Sequence, residues 1–185
     1  MLLKFKFAIF YLLYFEKYLR YKFLYDDHAE EYLVERALHP RLALKLIGVQ
    51  LGKNCRVYNG LTLYNYKKGN LTIGNNVHIG KGVLLDLSEA ITIEDNCTIS
   101  MGVKILTHMN VGDSALKESY PRQSGAIRLE ESVYLGAQSL VLHTTKVIAS
   151  KTLLASNSTL DTATTPNSVF AGSPARLVKS ISSSN

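Results

Sequence analysis

The sequence predicts a mostly β protein, namely a parallel β-helix of about five coils that is preceded by N-terminal α-helices. Two observations predict this fold. From residue 49 onwards large aliphatic residues recur at every sixth position, and Asn or Gly often follows three residues after them. A period of six fits neither an α-helix nor a single strand, but it fits a three-sided coil in which each side buries one large side chain.

The six-residue period runs through five groups of aliphatic positions. The step between groups lengthens to ten, eight and 24 residues before it returns to six, which predicts loops at the long steps. Three sides of six residues give a coil of 18 residues, and stacked coils lie roughly 4.8 Å apart. Thr159 breaks the run at its fifteenth position. The predicted inward positions are Leu51, Val57 and Leu63; Ile73, Ile79 and Leu85; Ile93, Ile99 and Ile105; Leu129, Leu135 and Val141; and Val147 and Leu153.

The residues three places after these aliphatics predict tight corners, because Asn and Gly tolerate a positive φ. They are Asn54, Gly60, Asn76, Gly82, Asn96 and Gly102. One residue further on, Cys55 and Cys97 fall in the same column of the stack, two coils apart. Their Cα atoms would then lie about 9.6 Å apart, which is too far for a disulfide. We therefore predict that both are small buried hydrophobic residues.

Residues 1–48 are predicted to form a helical segment. An apolar run over residues 7–15 would rise only about 13 Å as a helix, far less than a bilayer core of roughly 30 Å. Charge around the run is mostly positive, from Lys4, Lys6, Lys17, Arg20 and Lys22 against Glu16. Two interpretations of residues 1–25 remain open: a helix lying on anionic lipid, or a helix that packs on its own fold or on a sister subunit.

A second helical stretch is predicted over residues 26–47. Asp26 or Asp27 would cap it, Pro40 would separate it from a short helix over residues 41–47, and Gly48 would end that helix.

Composition excludes several function classes. The chain has 185 residues, and its hydrophobic content of 46% argues against disorder. Its net charge of +6 favours an anionic partner. The basic residues lie in no nucleic-acid recognition motif, so we expect no nucleic-acid partner. Two cysteines match no zinc spacing, and the five histidines do not form the convergent set that a metal hydratase needs, so we expect no metal.

Two stretches carry a family resemblance: residues 71–80, Leu-Thr-Ile-Gly-Asn-Asn-Val-His-Ile-Gly, and residues 169–178, Val-Phe-Ala-Gly-Ser-Pro-Ala-Arg-Leu-Val. The chain resembles the hexapeptide-repeat acyltransferases with a left-handed β-helix, above all the sugar O-acetyltransferases of the galactoside, maltose and colanic-acid type. The resemblance spans about residues 45–181. It implies left-handed coils, acetyl-CoA as acyl donor, a sugar or glycan hydroxyl as acceptor, and a homotrimer with sites between subunits.

His108 is the predicted catalytic base. It follows Ile105 by three residues, directly before an excursion at about residues 109–126 that interrupts the repeat. Loops that leave a rigid scaffold often carry function, and neutral imidazole is suited to removing a proton from a hydroxyl. In the resembling enzymes the histidine at this place has that role. Asp86 resembles the family's acceptor-binding carboxylate, and Asp113 or Glu118 in the excursion is a candidate to orient His108.

The resemblance also suggests where coenzyme A would bind. Tyr134 stands where relatives often have Trp, small residues at Ala137 and Ala155 would let pantetheine approach the backbone, and Arg176 and Lys179 would pair with phosphates. The last coil, taken as residues 144–159, has few glycines. In place of the glycine that commonly follows the inward aliphatic, the sequence has Ile148 and Leu154 there.

These observations predict three segments: helices over residues 1–48, the β-helix over 49–160, and a closing segment over 161–185. The expected function is transfer of an acetyl group from acetyl-CoA to a sugar or polysaccharide-precursor hydroxyl. The alternative is a non-catalytic hexapeptide-repeat scaffold, which the glycine-poor last coil favours. We expect the protein in the cytoplasm, either free or on the inner face of the cytoplasmic membrane.

Overall fold

A computed structural model describes residues 12–20, 22–23 and 28–181. It confirms the predicted fold class: three sheets of parallel strands form the sides of a left-handed β-helix behind N-terminal helices. The proposed caps at Asp26 and Asp27, and most of the apolar run over residues 7–15, lie outside the described residues.

The helices cover the first coil. Residues 12–20 and 22–23 are helical (α1), and α2 (Ala29–Glu35) and α3 (Pro40–Leu46) follow. Pro40 is the first residue of α3. The backbone N–H at this position of a helix has no partner within the helix, so a proline costs no hydrogen bond there. Pro40 therefore begins this helix, whereas the sequence predicted that it would precede it. Gly48 takes a φ of +88° just after α3. Within the described part of the chain, no helix is both long enough and apolar enough to cross a bilayer.

The strands form three faces and one ribbon. Face A contains β1 (Gln50–Leu51), β4 (Leu71–Ile73), β7 (Ile91–Ile93), β12 (Ile127–Leu129) and β15 (Val147–Ile148). Face B contains β2 (Arg56–Val57), β5 (His78–Ile79), β8 (Thr98–Ile99), β13 (Tyr134–Leu135), β16 (Thr152–Leu154), β18 (Ser168–Gly172) and the antiparallel β19 (Ala175–Ser180). Face C contains β3 (Thr62–Tyr64), β6 (Leu84–Asp86), β9 (Lys104–Ile105), β14 (Leu140–Val141) and β17 (Thr159–Leu160). The ribbon pairs β10 (His108–Met109) with β11 (Gln123–Ser124) in antiparallel fashion.

The core is a set of columns of aliphatic side chains that run the length of the stack. On face C, for example, Leu63, Leu85, Ile105 and Val141 are all buried, and each strand pairs with its neighbour in the register that stacks them. Burying such side chains stabilises the fold by roughly 1.5–3 kcal/mol each. All six predicted corner residues have a positive φ, so these corners are confirmed.

The predicted register of the last coil is wrong by one residue. Ile148 pairs with Leu129, Leu154 with Leu135, and Leu160 with Val141, and the three side chains are fully buried. The predicted inward residues Val147 and Leu153 are each only partly buried, and so is Thr159, which breaks the predicted run at its fifteenth position. The cause is a turn between β14 and β15 that holds one residue more than a standard corner, with Lys146 at a φ of +56°. The fifteenth inward position is therefore Leu160, and the run is complete.

The corrected register also changes the residues that follow the inward aliphatics. Ala149 follows Ile148, and Ala155 follows Leu154, so both positions hold small side chains. Such positions are crowded: at Gly136, one coil earlier in the Ala155 column, an added Cβ would lie 2.4 Å from the backbone nitrogen of Ser156. The last coil is thus regular, and its low glycine content no longer favours the scaffold alternative.

Neighbouring leucines test this register. We expect Leu154→Ala to lower the free energy of unfolding by about 2–5 kcal/mol, because it opens a cavity in the closed interior. Leu153→Ala, on the partly exposed side of the same strand, should cost about 1 kcal/mol or less. Urea unfolding followed by circular dichroism measures both, and a larger loss for Leu153→Ala would restore the register predicted from the sequence.

Candidate active site

His108 is the first residue of the ribbon, at the corner between faces C and A. β9 ends at Ile105, two residues turn the corner, and β10 then leaves the stack with His108 opposite Ser124. The backbone N–H of Gly125 donates to the carbonyl of Thr107, which closes the base of the excursion. The imidazole is 20% exposed, so it is held by the scaffold but remains open to a ligand.

Asp86 lies beneath His108, one coil earlier. Because Leu85 pairs with Ile105, the end of β6 meets the corner that His108 follows. The Oδ2 atom of Asp86 is 2.6 Å from Nδ1 of His108, and it also accepts the backbone N–H groups of Thr107 (2.9 Å) and His108 (3.1 Å). The Asp86 side chain is only 1% exposed. Its carboxylate therefore fixes both the ring of His108 and the backbone that carries it.

This geometry corrects the predicted role of Asp86. Its carboxylate is enclosed and both oxygens accept hydrogen bonds within the protein, so it is placed to orient His108 and not to contact an acceptor. The two carboxylates considered for that orienting role lie elsewhere. Asp113 pairs with Lys117 on the exposed excursion, and Glu118 is also exposed there.

Two polar side chains that the sequence analysis missed extend the pair inwards. Ser88 Oγ donates to Oδ1 of Asp86 (2.8 Å) and lies 3.0 Å from Nδ1 of His108. Asn65 Nδ2 donates in turn to Ser88 Oγ (2.8 Å). Asn65 occupies a corner with a φ of +54°. The resulting chain of hydrogen bonds, Asn65–Ser88–Asp86–His108, holds the acidic partner from the side away from solvent.

The hydrogen bonds set the charge state of Asp86. Burial acts to raise the pKa of this carboxyl, but hydrogen bonds from His108 and from the side chain and backbone of Ser88 outweigh it, so that the pKa lies below its ordinary value. An ionised Asp86 can only accept, so Nδ1 of His108 carries the proton that it receives. In a neutral ring this leaves the lone pair on the other nitrogen, Nε2, which is the tautomer needed for a general base.

Tyr64, at the end of β3, lies beside the imidazole. The two rings are nearly parallel, with an interplanar angle of 15° and 6.3 Å between centroids, and Tyr64 is half-exposed. An exposed aromatic face next to a base is suited to packing against the apolar face of a sugar ring. Tyr64 had no signal in the repeat pattern, although its position directly after Leu63 matches that of Asp86 after Leu85.

The excursion is fastened to the corner by polar contacts. Ser124 Oγ donates to Oε1 of Glu89 (2.9 Å), and Arg122 forms an ion pair with the same carboxylate at 3.8 Å. Nε2 of His143 lies 3.2 Å from Oε1 of Gln123. These contacts lie mostly on exposed side chains, so they position the excursion next to His108 without burying it.

The residues predicted to bind coenzyme A lie apart from His108 in this chain. Tyr134 is on face B, Ala137 and Ala155 are at the corner between faces B and C, and Arg176 and Lys179 are on β19. Tyr134 and Ser100 share a hydrogen bond of 3.1 Å, and Arg176 pairs with Asp161 at 3.1 Å. Across the described residues, no hydrogen bond or ion pair connects this group with the His108 corner.

The two cysteines are part of the buried core. Cys55 and Cys97 are both free and buried, as predicted. Burial raises the pKa of the Cys97 thiol to about 11, so it stays protonated at neutral pH. Among the residues that the structure describes, no three His, Cys, Asp or Glu side chains cluster as metal ligands.

The repeats and the fold both match known proteins. Residues 44–65 and 70–106 match the family profile described as hexapeptide repeat of succinyl-transferase. The two matches cover 59 of the 185 residues, so about a third of the chain carries this repeat pattern. No curated sequence is significantly similar to it.

Three solved structures with the same fold indicate what this chain is similar to. A hexapeptide-repeat acetyltransferase from Vibrio cholerae has a TM-score of 0.75 at 19% identity, over 85% of this chain and 89% of that one. Galactoside acetyltransferase in complex with coenzyme A has a TM-score of 0.72 at 21% identity, over 91% and 82%. AntD, an N-acyltransferase from Bacillus cereus with dTDP and 3-hydroxybutyryl-CoA, has a TM-score of 0.62 at 22% identity, over 72% and 73%. The predicted resemblance is confirmed for the repeat and the fold.

The lowered pKa of Asp86 predicts a pH-dependent contribution to stability. A carboxyl whose folded pKa is below its unfolded value stabilises the fold above the unfolded pKa of about 3.9, and loses that contribution as the pH falls through the folded pKa. The difference in unfolding free energy between wild type and Asp86→Asn should therefore be largest near neutral pH and shrink in acid. Urea titrations at pH 7 and at low pH measure it, with Asp113→Asn as the exposed control. A difference that does not change with pH would contradict an ionised Asp86.

Proposed function

We propose that this hexapeptide-repeat protein transfers an acetyl group from acetyl-CoA to a hydroxyl of a sugar or polysaccharide precursor, with His108 as general base. The observation that carries the proposal is the 2.6 Å contact between Asp86 Oδ2 and His108 Nδ1 at the base of the ribbon. A buried, ionised carboxylate that fixes the tautomer of a partly exposed imidazole is the arrangement that hydroxyl activation requires. The acetyl-CoA and coenzyme A complexes of similarly folded acetyltransferases support the choice of acyl donor.

The reaction uses the free nitrogen of His108. Nε2 removes the proton from the acceptor hydroxyl as its oxygen attacks the thioester carbonyl carbon. The tetrahedral intermediate then collapses and the C–S bond breaks. The departing thiolate of coenzyme A receives the proton that Nε2 took from the hydroxyl. Asp86 stays ionised throughout and stabilises the imidazolium that forms between the two steps.

The separation of the two predicted groups supports a site between subunits. His108 is at the corner between faces C and A, whereas Tyr134, Ala137, Ala155, Arg176 and Lys179 lie on face B and at the B–C corner. In a three-fold assembly of prisms, the C–A corner of one subunit can face the B surface of the next. We therefore propose a homotrimer in which one subunit supplies the base and its neighbour holds the coenzyme.

The AntD similarity raises a second class of acceptor. AntD is an N-acyltransferase, and its complexes include dTDP-4-amino-4,6-dideoxyglucose. An amine is a stronger nucleophile than a hydroxyl, so it depends less on a base once it is neutral. The Asp86–His108 pair favours the hydroxyl, because it is built to remove a proton from a weak nucleophile. Acetyl-CoA turnover with paired hydroxyl and amino sugars distinguishes the two, and turnover with amino sugars alone would overturn the proposal.

We expect His108→Ala to lower kcat for acetyl transfer by roughly 10²–10⁴-fold, because general base catalysis typically supplies that factor. Acetyl-CoA affinity, measured by calorimetry, should change little. His28→Ala is the matched control, since His28 lies exposed in the helical segment, and it should keep full activity. Failure of the wild type to bind acetyl-CoA or to turn it over would instead leave the scaffold alternative.

Tyr64 should affect the acceptor more than the donor. We expect Tyr64→Ala to raise KM for the sugar by about two- to tenfold, since stacking of an aromatic ring contributes about 0.5–1.5 kcal/mol beyond burial. Tyr64→Phe keeps the ring and should behave like wild type. Steady-state kinetics with each substrate varied in turn make the measurement, and a change confined to KM for acetyl-CoA would contradict this role.

A further inference from the structure

Helix α1 packs on the protein through its tyrosines. Tyr14 is buried, and its hydroxyl accepts the backbone N–H of His39 at 2.8 Å. Tyr18 lies four residues further along α1, and its hydroxyl donates to Oε1 of Glu30 at 3.1 Å. The side of α1 that faces the fold is thus fixed by two aromatic hydroxyls, one helical turn apart.

The apolar side of the same helix faces outwards. Its residues are spaced three, four and four apart, so they form one stripe along the helix. The exposed fractions of its side chains are large: Leu12 68%, Phe15 49%, Leu19 52% and Phe23 90%. This arrangement is the reverse of a helix in a soluble domain, which turns its apolar stripe inwards. A continuous exposed apolar stripe of this kind marks a surface that binds something.

Positive charge flanks the apolar stripe. Arg20 is exposed on one side of it and forms an ion pair with Glu16 at 3.5 Å, and Lys17 is exposed further round the helix, away from the stripe. Lys22 lies on the other side of the stripe by helical periodicity, and Lys4 and Lys6 precede the helix in the sequence. Large apolar side chains bordered by cations match the boundary between anionic headgroups and acyl chains.

We propose that α1 docks this protein on the surface of an anionic phospholipid bilayer, lying in the plane of the interface. The apolar stripe would enter the headgroup boundary, Arg20 beside it would pair with a lipid phosphate, and Lys17 would add to the positive potential of the helix. The charge pattern favours this occupant over a second copy of the chain, because the described part of α1 carries three cations, Lys17, Arg20 and Lys22, against the single acid Glu16, and two copies would bring this net positive charge together. This docking is independent of the acyl transfer proposed above, since it uses no residue of the His108 corner.

Vesicle flotation of the full chain tests the proposal. Wild type should float with vesicles of phosphatidylcholine plus phosphatidylglycerol and bind pure phosphatidylcholine much less, with binding that falls as salt rises. Leu19→Gln combined with Phe23→Gln should weaken binding by at least about tenfold, because it removes two large exposed apolar side chains that the bilayer would bury. The matched control is Leu38→Gln, since Leu38 is a similarly exposed leucine outside α1.

A double variant that removes two positive charges is the second part of the vesicle experiment. Lys17→Gln with Arg20→Gln should remove most of the preference for anionic vesicles, whereas Lys67→Gln with Lys68→Gln, which removes two exposed lysines between β3 and β4, should keep it. Equal binding of wild type and the stripe variant would overturn the proposal. So would a change in oligomeric state of the stripe variant by light scattering without vesicles, which would assign the stripe to a second copy. Acetyl transfer to a soluble acceptor should be the same in all these variants.

Discussion

The fold depends on one constraint: every side of the prism must bury its aliphatic residue directly above the one in the coil before it. Parallel pairing from coil to coil sets this registry, and the closed interior leaves little room for a side chain that does not fit. The positive-φ corners serve the same constraint, since each returns the chain to the next face after a fixed number of residues. Extra residues beyond the six of a side therefore have to lie in a loop that leaves the prism or in a turn between two faces.

That constraint explains what the sequence could predict and where it misled. The first four coils follow the six-residue period, so their inward residues were predicted correctly, as were the Asn and Gly corners of the first three coils. In the fifth coil a seven-residue step and a corner at Lys146 shifted the register by one, and adjacent apolar pairs such as Leu153 and Leu154 concealed the shift. Later corners also use Ser132, Gln138 and Lys151 at positive φ, residue types that give no corner signal in the sequence.

The candidate site shows a similar division. His108 could be found because it stands where the repeat stops, but its partner could not be found from residue type alone. Asp86 is 22 residues earlier in the chain, and only the alignment of β6 with β9 places it beneath the imidazole. The six-residue register aligns Leu85 with Ile105, so extending it to the residues that follow them would have indicated this contact. Ser88 and Asn65 lie in loops that the period does not describe.

Both ends of the stack are closed by non-repeating structure. Helices α2 and α3 contact the first coil, and at the other end the hairpin of β18 and β19 lies along β16. Open ends of a parallel stack would present unpaired backbone groups to other molecules, so these two elements protect the protein from joining end to end. Because both ends are covered, the number of coils can change without changing the ends. A duplicated coil between the two caps would lengthen the prism without exposing a new strand edge. Growth and shrinkage of such a chain over evolution can therefore proceed in whole coils, so long as the coils bearing Asp86 and His108 remain neighbours.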